Sequence, residues 1–127
     1  MACPFCTRIA AGDVTAGNAL AVAFPDAFPL TPGHTLVVPR RHEPDFLALS
    51  GAEQQAVMAL AAEVAARLRA ERAPDGYNLG VNVGPAGGQT VAHAHLHVIP
   101  RYGGDVADPR GGIRWIIPER ARYWEAT

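Results

Sequence analysis

The chain has 127 residues, 49% of them apolar, and a formal net charge of −1. That length suits one domain able to bury a sizeable core, and a near-neutral balance without a basic run speaks against a nucleic-acid binder. All eleven cations are Arg, which excludes lysine Schiff-base and lysine-nucleophile chemistry.

The N-terminal stretch carries Cys3-Pro4-Phe5-Cys6. From this motif alone three readings stand: two thiolate ligands for zinc, a redox pair, or two unremarkable thiols. The stretch lacks the basic-then-apolar pattern of a secretory signal, and no segment reaches the ~20 apolar residues of a membrane span. A cytoplasmic protein is expected, and its two cysteines are then not expected to pair as a structural disulfide. Ala19 to Phe24 reads as a short strand, and Pro25 to Pro29 as a proline-punctuated turn. His34 to Pro39 is rich in β-branched residues and closes on a proline, the pattern of a strand. Pro44 to Leu47 reads as a helical turn. The main helix should start at Ser50, because Ser50 and Glu53 have the spacing of a capping box. Val57, Leu60, Ala61, Val64 and Leu68 then follow the spacing of one buried stripe. Pro74 should end this helix near residues 71–73. Asp75-Gly76 is a turn, and 77–83 and 93–99 alternate as strands. Residues 113–117 read as a last short strand. Tyr123 and Trp124 are expected to pack on a surface or on a partner. One long helix against an antiparallel sheet is an α+β fold. A single domain over 1–127 is expected, with 102–127 as a C-terminal extension.

Three of the five histidines, His93, His95 and His97, stand at alternate positions. In a strand they would share one face. Two mechanisms suit such a row. Two imidazoles can hold a zinc ion with a position left open for water. Alternatively, one imidazole attacks phosphorus while another donates a hydrogen bond to the phosphate or leaving group. Just before the row lies Gly84-Pro85-Ala86-Gly87-Gly88-Gln89-Thr90. Such a loop can turn backbone N–H groups towards an anion, with Gln89 and Thr90 adding side-chain donors. Its plainer reading is a hairpin turn that needs glycine.

The run from Gly87 to Arg101, with Gly88-Gln89-Thr90 leading into His93-Ala94-His95-Leu96-His97-Val98-Ile99, resembles the signature of the histidine triad (HIT) family. The stretch from Ala23 to His42 is similar to the family as well, and the resemblance spans Cys3 to about Arg101. It implies a HIT-like fold and a nucleotide hydrolase or transferase acting at the α-phosphate through a nucleotidyl-histidine. By motif position His95 matches the nucleophile. His97 matches the histidine at the phosphate and leaving group, and His34 a further active-site histidine. Asn82, Gln89 and Thr90 fall where the family binds phosphate. Asp26 falls where it binds ribose hydroxyls. Phe5 and Phe24 fall near the nucleobase pocket, although ordinary core accounts for both equally well. One bacterial branch implies a structural zinc on Cys3, Cys6, His42 and His93. His97, where other branches have Gln, favours a hydrolase of dinucleoside polyphosphates or nucleoside phosphoramidates. No organic cofactor is implied. Family members commonly form homodimers, for which the helix from Ser50 offers a contact. The segment 11–18 looks shorter than in the family, which bears on the base pocket more than on the phosphate site. Two further readings remain: a nucleotide-binding or interaction protein with weak activity, and a metal-dependent hydrolase using the histidine row itself.

Overall fold

The computed structural model describes residues 2–125. Its first element is helix α1 (Pro4–Ala11), which starts because Cys3 caps it. The Cys3 Sγ accepts the Cys6 N–H at 3.4 Å, and proline at the first helical position has no N–H to satisfy. Gly12, left-handed at φ 70°, ends it. The Cys-x-x-Cys motif was not read as a helix start, yet Pro4 after a capping side chain is that signal.

Five strands follow: β1 (Ala16–Gly17), β2 (Ala21–Pro25), β3 (Thr35–Pro39), β4 (Gly76–Val81) and β5 (Leu96–Arg101). They form one antiparallel sheet in the order β1-β2-β3-β5-β4. The expected α+β architecture is therefore present, with β1 only two residues long. Between β3 and β4 runs helix α2 (Gly51–Arg72). Ser50 and Glu53 form the reciprocal capping box, and the expected stripe of Val57, Leu60, Ala61, Val64 and Leu68 is buried. This stripe packs on Ala21, Ala23, Val37, Leu96 and Val98 from one sheet face. The other face presents Val22, Phe24, Leu36 and Val38, and α1 covers it through Phe5. Period-two alternation thus assigns one apolar set to each helix. Among the described residues no helix is long and apolar enough to cross a membrane.

Two expected strands need correction. The stretch 93–99 becomes a strand only from Leu96, which pairs with Val37 and Val81. Upstream the backbone leaves the sheet, and the Ala94 N–H donates to the Glu43 carbonyl at 2.7 Å. Residues 113–117 do not form a strand. Gly112–Ile116 is a 3-10 helix, and its Trp115 Nε1–H donates to the Arg110 carbonyl at 2.7 Å. The β-branched isoleucines that suggested a strand have no partner strand, and Ile113, Ile116 and Ile117 are exposed. A short helix α3 (Pro118–Ala121) follows. The terminal aromatics pack on their own chain, with the Arg110 guanidinium 4.6 Å from the Trp124 ring centre and that of Arg114 4.8 Å from Tyr123.

Candidate active site

Although only His97 lies in β5, all three triad rings sit on the sheet face covered by α1. His97 pairs with Leu36, whose side chain belongs to that face. The Phe5 ring lies 5.1 Å from His95 and 5.8 Å from His93, both edge to face. From this common face the histidines separate into two groups.

The first group is Cys3, Cys6, His42 and His93, whose ligand atoms all lie within 4.8 Å of one another. Cys3 Sγ and Cys6 Sγ are each 3.5 Å from His93 Nδ1. Cys6 Sγ is 3.3 Å from His42 Nδ1, and the two Nδ1 atoms are 3.3 Å apart. A tetrahedral ion with metal–sulfur bonds of ~2.3 Å and metal–nitrogen bonds of ~2.0–2.1 Å has S···N edges of about 3.5 Å and N···N edges of about 3.3 Å. The four side chains fit such an ion. The His93 tautomer fits as well. Its Nε2–H donates to the Pro39 carbonyl at 2.8 Å, so Nδ1 turns a lone pair to the cluster. Burial, opposed by that hydrogen bond, lowers the His93 pKa, and His42 and His95 lower it further. Burial also raises the Cys6 thiol, and the adjacent Cys3 thiol adds to this. A cation among these donors would reverse the penalty on the thiolate.

The second group is His34, His95, His97 and Asp26. The buried His95 donates Nδ1–H to the His93 carbonyl at 2.8 Å. In the neutral ring its Nε2 therefore carries the lone pair. His34 accepts the Leu30 N–H on Nδ1 at 3.0 Å, so its proton is on Nε2. That proton faces His97 Nδ1 at 3.0 Å and Asp26 Oδ2 at 3.4 Å. His97, accepting on Nδ1, presents Nε2–H as a donor. Burial pushes His97 down to about 4; His95 and His34 add to this and Asp26 opposes it. Burial lowers His34 too, again against Asp26. Asp26, His34 and His97 converge closely enough to hold a cation. However, His34 Nε2 could ligate only as an imidazolate, because Nδ1 is already committed. This argues against Asp26, His34 and His97 as a catalytic metal site.

Loop geometry aims these rings. Gly33 precedes His34 with φ at +93°, and a Cβ there would meet Leu68 of α2 at 2.8 Å. Only glycine lets the β2–β3 loop lie this close to the helix.

Residues 9–104 match the HIT domain. The chain belongs to the HIT family. It is 43% identical to an uncharacterized HIT-like protein of Mycoplasma genitalium over 104 residues, 79% of this chain and 73% of the relative. It is 37% identical to the AP-4-A phosphorylase of Mycobacterium tuberculosis over 95 residues, which span 74% of this chain and 49% of that protein. Among solved structures, a Zn-bound histidine triad family protein of Mycobacterium smegmatis superposes with a TM-score of 0.75 at 34% identity, covering 85% of this chain and 81% of the other.

In this HIT protein the structure gathers His34, His95, His97 and Asp26, with Phe5 against His95. It treats other expected site residues differently. Gln89 spends its amide on the loop itself: Oε1 accepts the Gly84 N–H at 2.9 Å, and Nε2 donates to the Pro44 and Val91 carbonyls at 2.7 and 2.9 Å. Thr90 is exposed at the loop end. Asn82 follows Val81, where the pairing of β4 with β5 ends, and is half-buried. Phe24 is fully buried, 5.3 Å from Phe5, with the Arg8 guanidinium 4.4 Å above its ring. Asp26 also accepts the Phe28 N–H on Oδ1 at 2.8 Å. Sequence reasoning missed the backbone groups at Leu30, Pro39 and His93 that fix the three tautomers.

Proposed function

We propose that this HIT protein is a nucleotide hydrolase acting at the α-phosphate of dinucleoside polyphosphates or nucleoside phosphoramidates, with His95 Nε2 as nucleophile. The observation that carries the reading is the 2.8 Å hydrogen bond from His95 Nδ1–H to the His93 carbonyl, which in the neutral ring places the lone pair on Nε2. Its AP-4-A phosphorylase relative supports a nucleotide substrate. The Nε2 lone pair attacks the α-phosphorus, and the bond to the leaving group breaks with its electron pair on the leaving group, which in a phosphoramidate takes up a proton from solvent and departs as the neutral amine. His97 Nε2–H donates a hydrogen bond to the charge that develops there. Water then attacks the nucleotidyl-histidine, the P–N electron pair returns to Nε2, and the water proton is lost to solvent. With a pKa near 4, His97 is neutral at pH 7 and assists by hydrogen bonding.

On the same reading Asn82 and Thr90 serve the phosphate and Asp26 the ribose, while Gln89, whose amide is engaged by Gly84, Pro44 and Val91, holds the loop in shape. Phe5, backed by Phe24, walls the base side. Thiolate and imidazole donors suit zinc, which in this closed set would cross-link α1 to the sheet. The protein would work as a cytoplasmic homodimer on small nucleotides.

The test is incubation with a labelled adenosine phosphoramidate and a diadenosine polyphosphate, wild type beside His95→Ala. Wild-type turnover with none by the variant is expected. Absence of wild-type turnover on both would leave a nucleotide-binding protein instead.

A further inference from the structure

Beyond the histidines, the structure has a cavity of about 570 Å³. Its floor is the sheet face that carries His97: along β5, His97, Ile99 and Arg101 point the same way. Leu30 and Thr31 form a second wall. Both are bonded to His34, which receives the Leu30 N–H on its ring and donates its own N–H to the Thr31 carbonyl at 3.1 Å. The cavity therefore opens beside the side chain read above as the leaving-group donor. Its roof is the segment from Asp105 to Arg122, which lies beyond the residues that match the HIT domain.

The chemistry of this cavity is not that of a phosphate site. Arg101 is fully engaged by Asp105, with Nε–Oδ2 and Nη2–Oδ1 both 2.8 Å, and its Nη1 donates to Asn78 Oδ1 at 2.6 Å. Arg122 stacks on Trp115, 5.3 Å from the ring centre. The remaining lining is largely apolar, with Trp115, Ile99 and Leu30 as the broad surfaces. Besides the Arg122 guanidinium, which stacks on Trp115, one neutral donor lines the cavity. Asn78 has its carbonyl occupied, and its Nδ2 faces Gly112, where a Cβ would come within 3.1 Å. Such a pocket suits an uncharged planar ring with a hydrogen-bond acceptor on its edge.

We propose that the C-terminal segment builds a leaving-group subsite that takes a heteroaromatic ring, the base of a second nucleoside, from a dinucleoside polyphosphate. This rests on His95 and His97 acting as argued above. It also gives the 105–122 segment a role in specificity. Transfer at phosphorus would proceed as before, with the departing nucleotide held by its base against Trp115.

The test compares kcat/KM on diadenosine triphosphate with that on adenosine phosphoramidate, whose leaving group is ammonia. Trp115→Ala should lower the first about tenfold more than the second, as loss of an aromatic contact made only by the larger leaving group. Ala107→Trp, which fills the cavity from the exposed roof, should do the same without removing an aromatic contact. In parallel, adenosine is titrated into wild-type protein saturated with AMP, reading the Trp115 indole N–H by NMR. A saturable shift is expected. If wild type cleaves both nucleotides, and both variants leave the ratio unchanged and adenosine leaves the indole signal unmoved, the subsite is wrong and the hydrolase reading stands. If wild type cleaves neither nucleotide yet adenosine shifts the indole, the hydrolase reading falls and the base-binding cavity remains.

Discussion

His93 and His95 are two residues apart, share a sheet face and touch the same phenyl ring, yet they present opposite ring nitrogens. The difference is which nitrogen a carbonyl holds. Pro39 holds His93 by Nε2 and turns Nδ1 to the two thiols and His42. The His93 carbonyl holds His95 by Nδ1 and leaves Nε2 free. Backbone acceptors alone make identical side chains present different nitrogens, and the proposed metal-ligand and nucleophile roles rest on that difference.

The strongest way to break this comparison is at the nucleophile. His95→Ala should reduce nucleotide turnover about 10³-fold or more, near 4 kcal/mol in barrier, with an unchanged circular dichroism spectrum. Turnover within tenfold of wild type would move the nucleophile elsewhere.

Metal removal probes the other half. Chelation, or Cys3→Ser, should lower unfolding stability by about 3 kcal/mol or more while the protein that stays folded keeps its turnover. Metal analysis of purified protein should give one ion per chain. Activity lost with an unchanged melting temperature would point to catalytic metal instead.

A third test sharpens the comparison through pH. His97 is depressed from its ordinary value near 6.5 to about 4, so between those values the unfolded chain binds the proton more tightly. Its contribution is present above pH 6.5 and is lost as pH falls towards 4, by up to about 3 kcal/mol. His34 and His93 are shifted in the same direction. Urea unfolding at pH 7 and pH 5 should show the loss, and His97→Asn should make it smaller. Equal losses in both proteins would contradict the assignment.

The smallest effect is a control outside both groups. Ser50→Ala removes the hydroxyl that caps α2 and should cost about 1 kcal/mol with no change in kcat. Arg41 chiefly, with Ser50, holds the Glu53 carboxyl at about 2, so this end of the helix should not titrate above pH 4.

The legible parts of the sequence were those governed by neighbours along the chain. The capping box and stripe of α2 are local patterns, and both are present. So is the alternation that sends Leu36 and His97 to one face and Val37 and Leu96 to the other. The unread parts depend on distant partners. Gln89 looked like a free donor because the Pro44 carbonyl that engages it lies 45 residues away. The isoleucines after Gly112 suggested a strand, but strand formation needs a neighbour that this segment lacks. The ring nitrogens of the triad were unreadable because their orientation rests on single carbonyls. The family resemblance supplied roles for His93 and His95 that spacing alone left open.

The central claim is therefore a statement about protons, and long-range nitrogen–proton NMR of the histidine rings tests it most directly. At pH 7 and with metal bound, His95 should show a protonated Nδ1 and an unprotonated Nε2, and His93 a protonated Nε2 beside a ligating Nδ1. A proton on His95 Nε2, or the same tautomer on both rings, would contradict it.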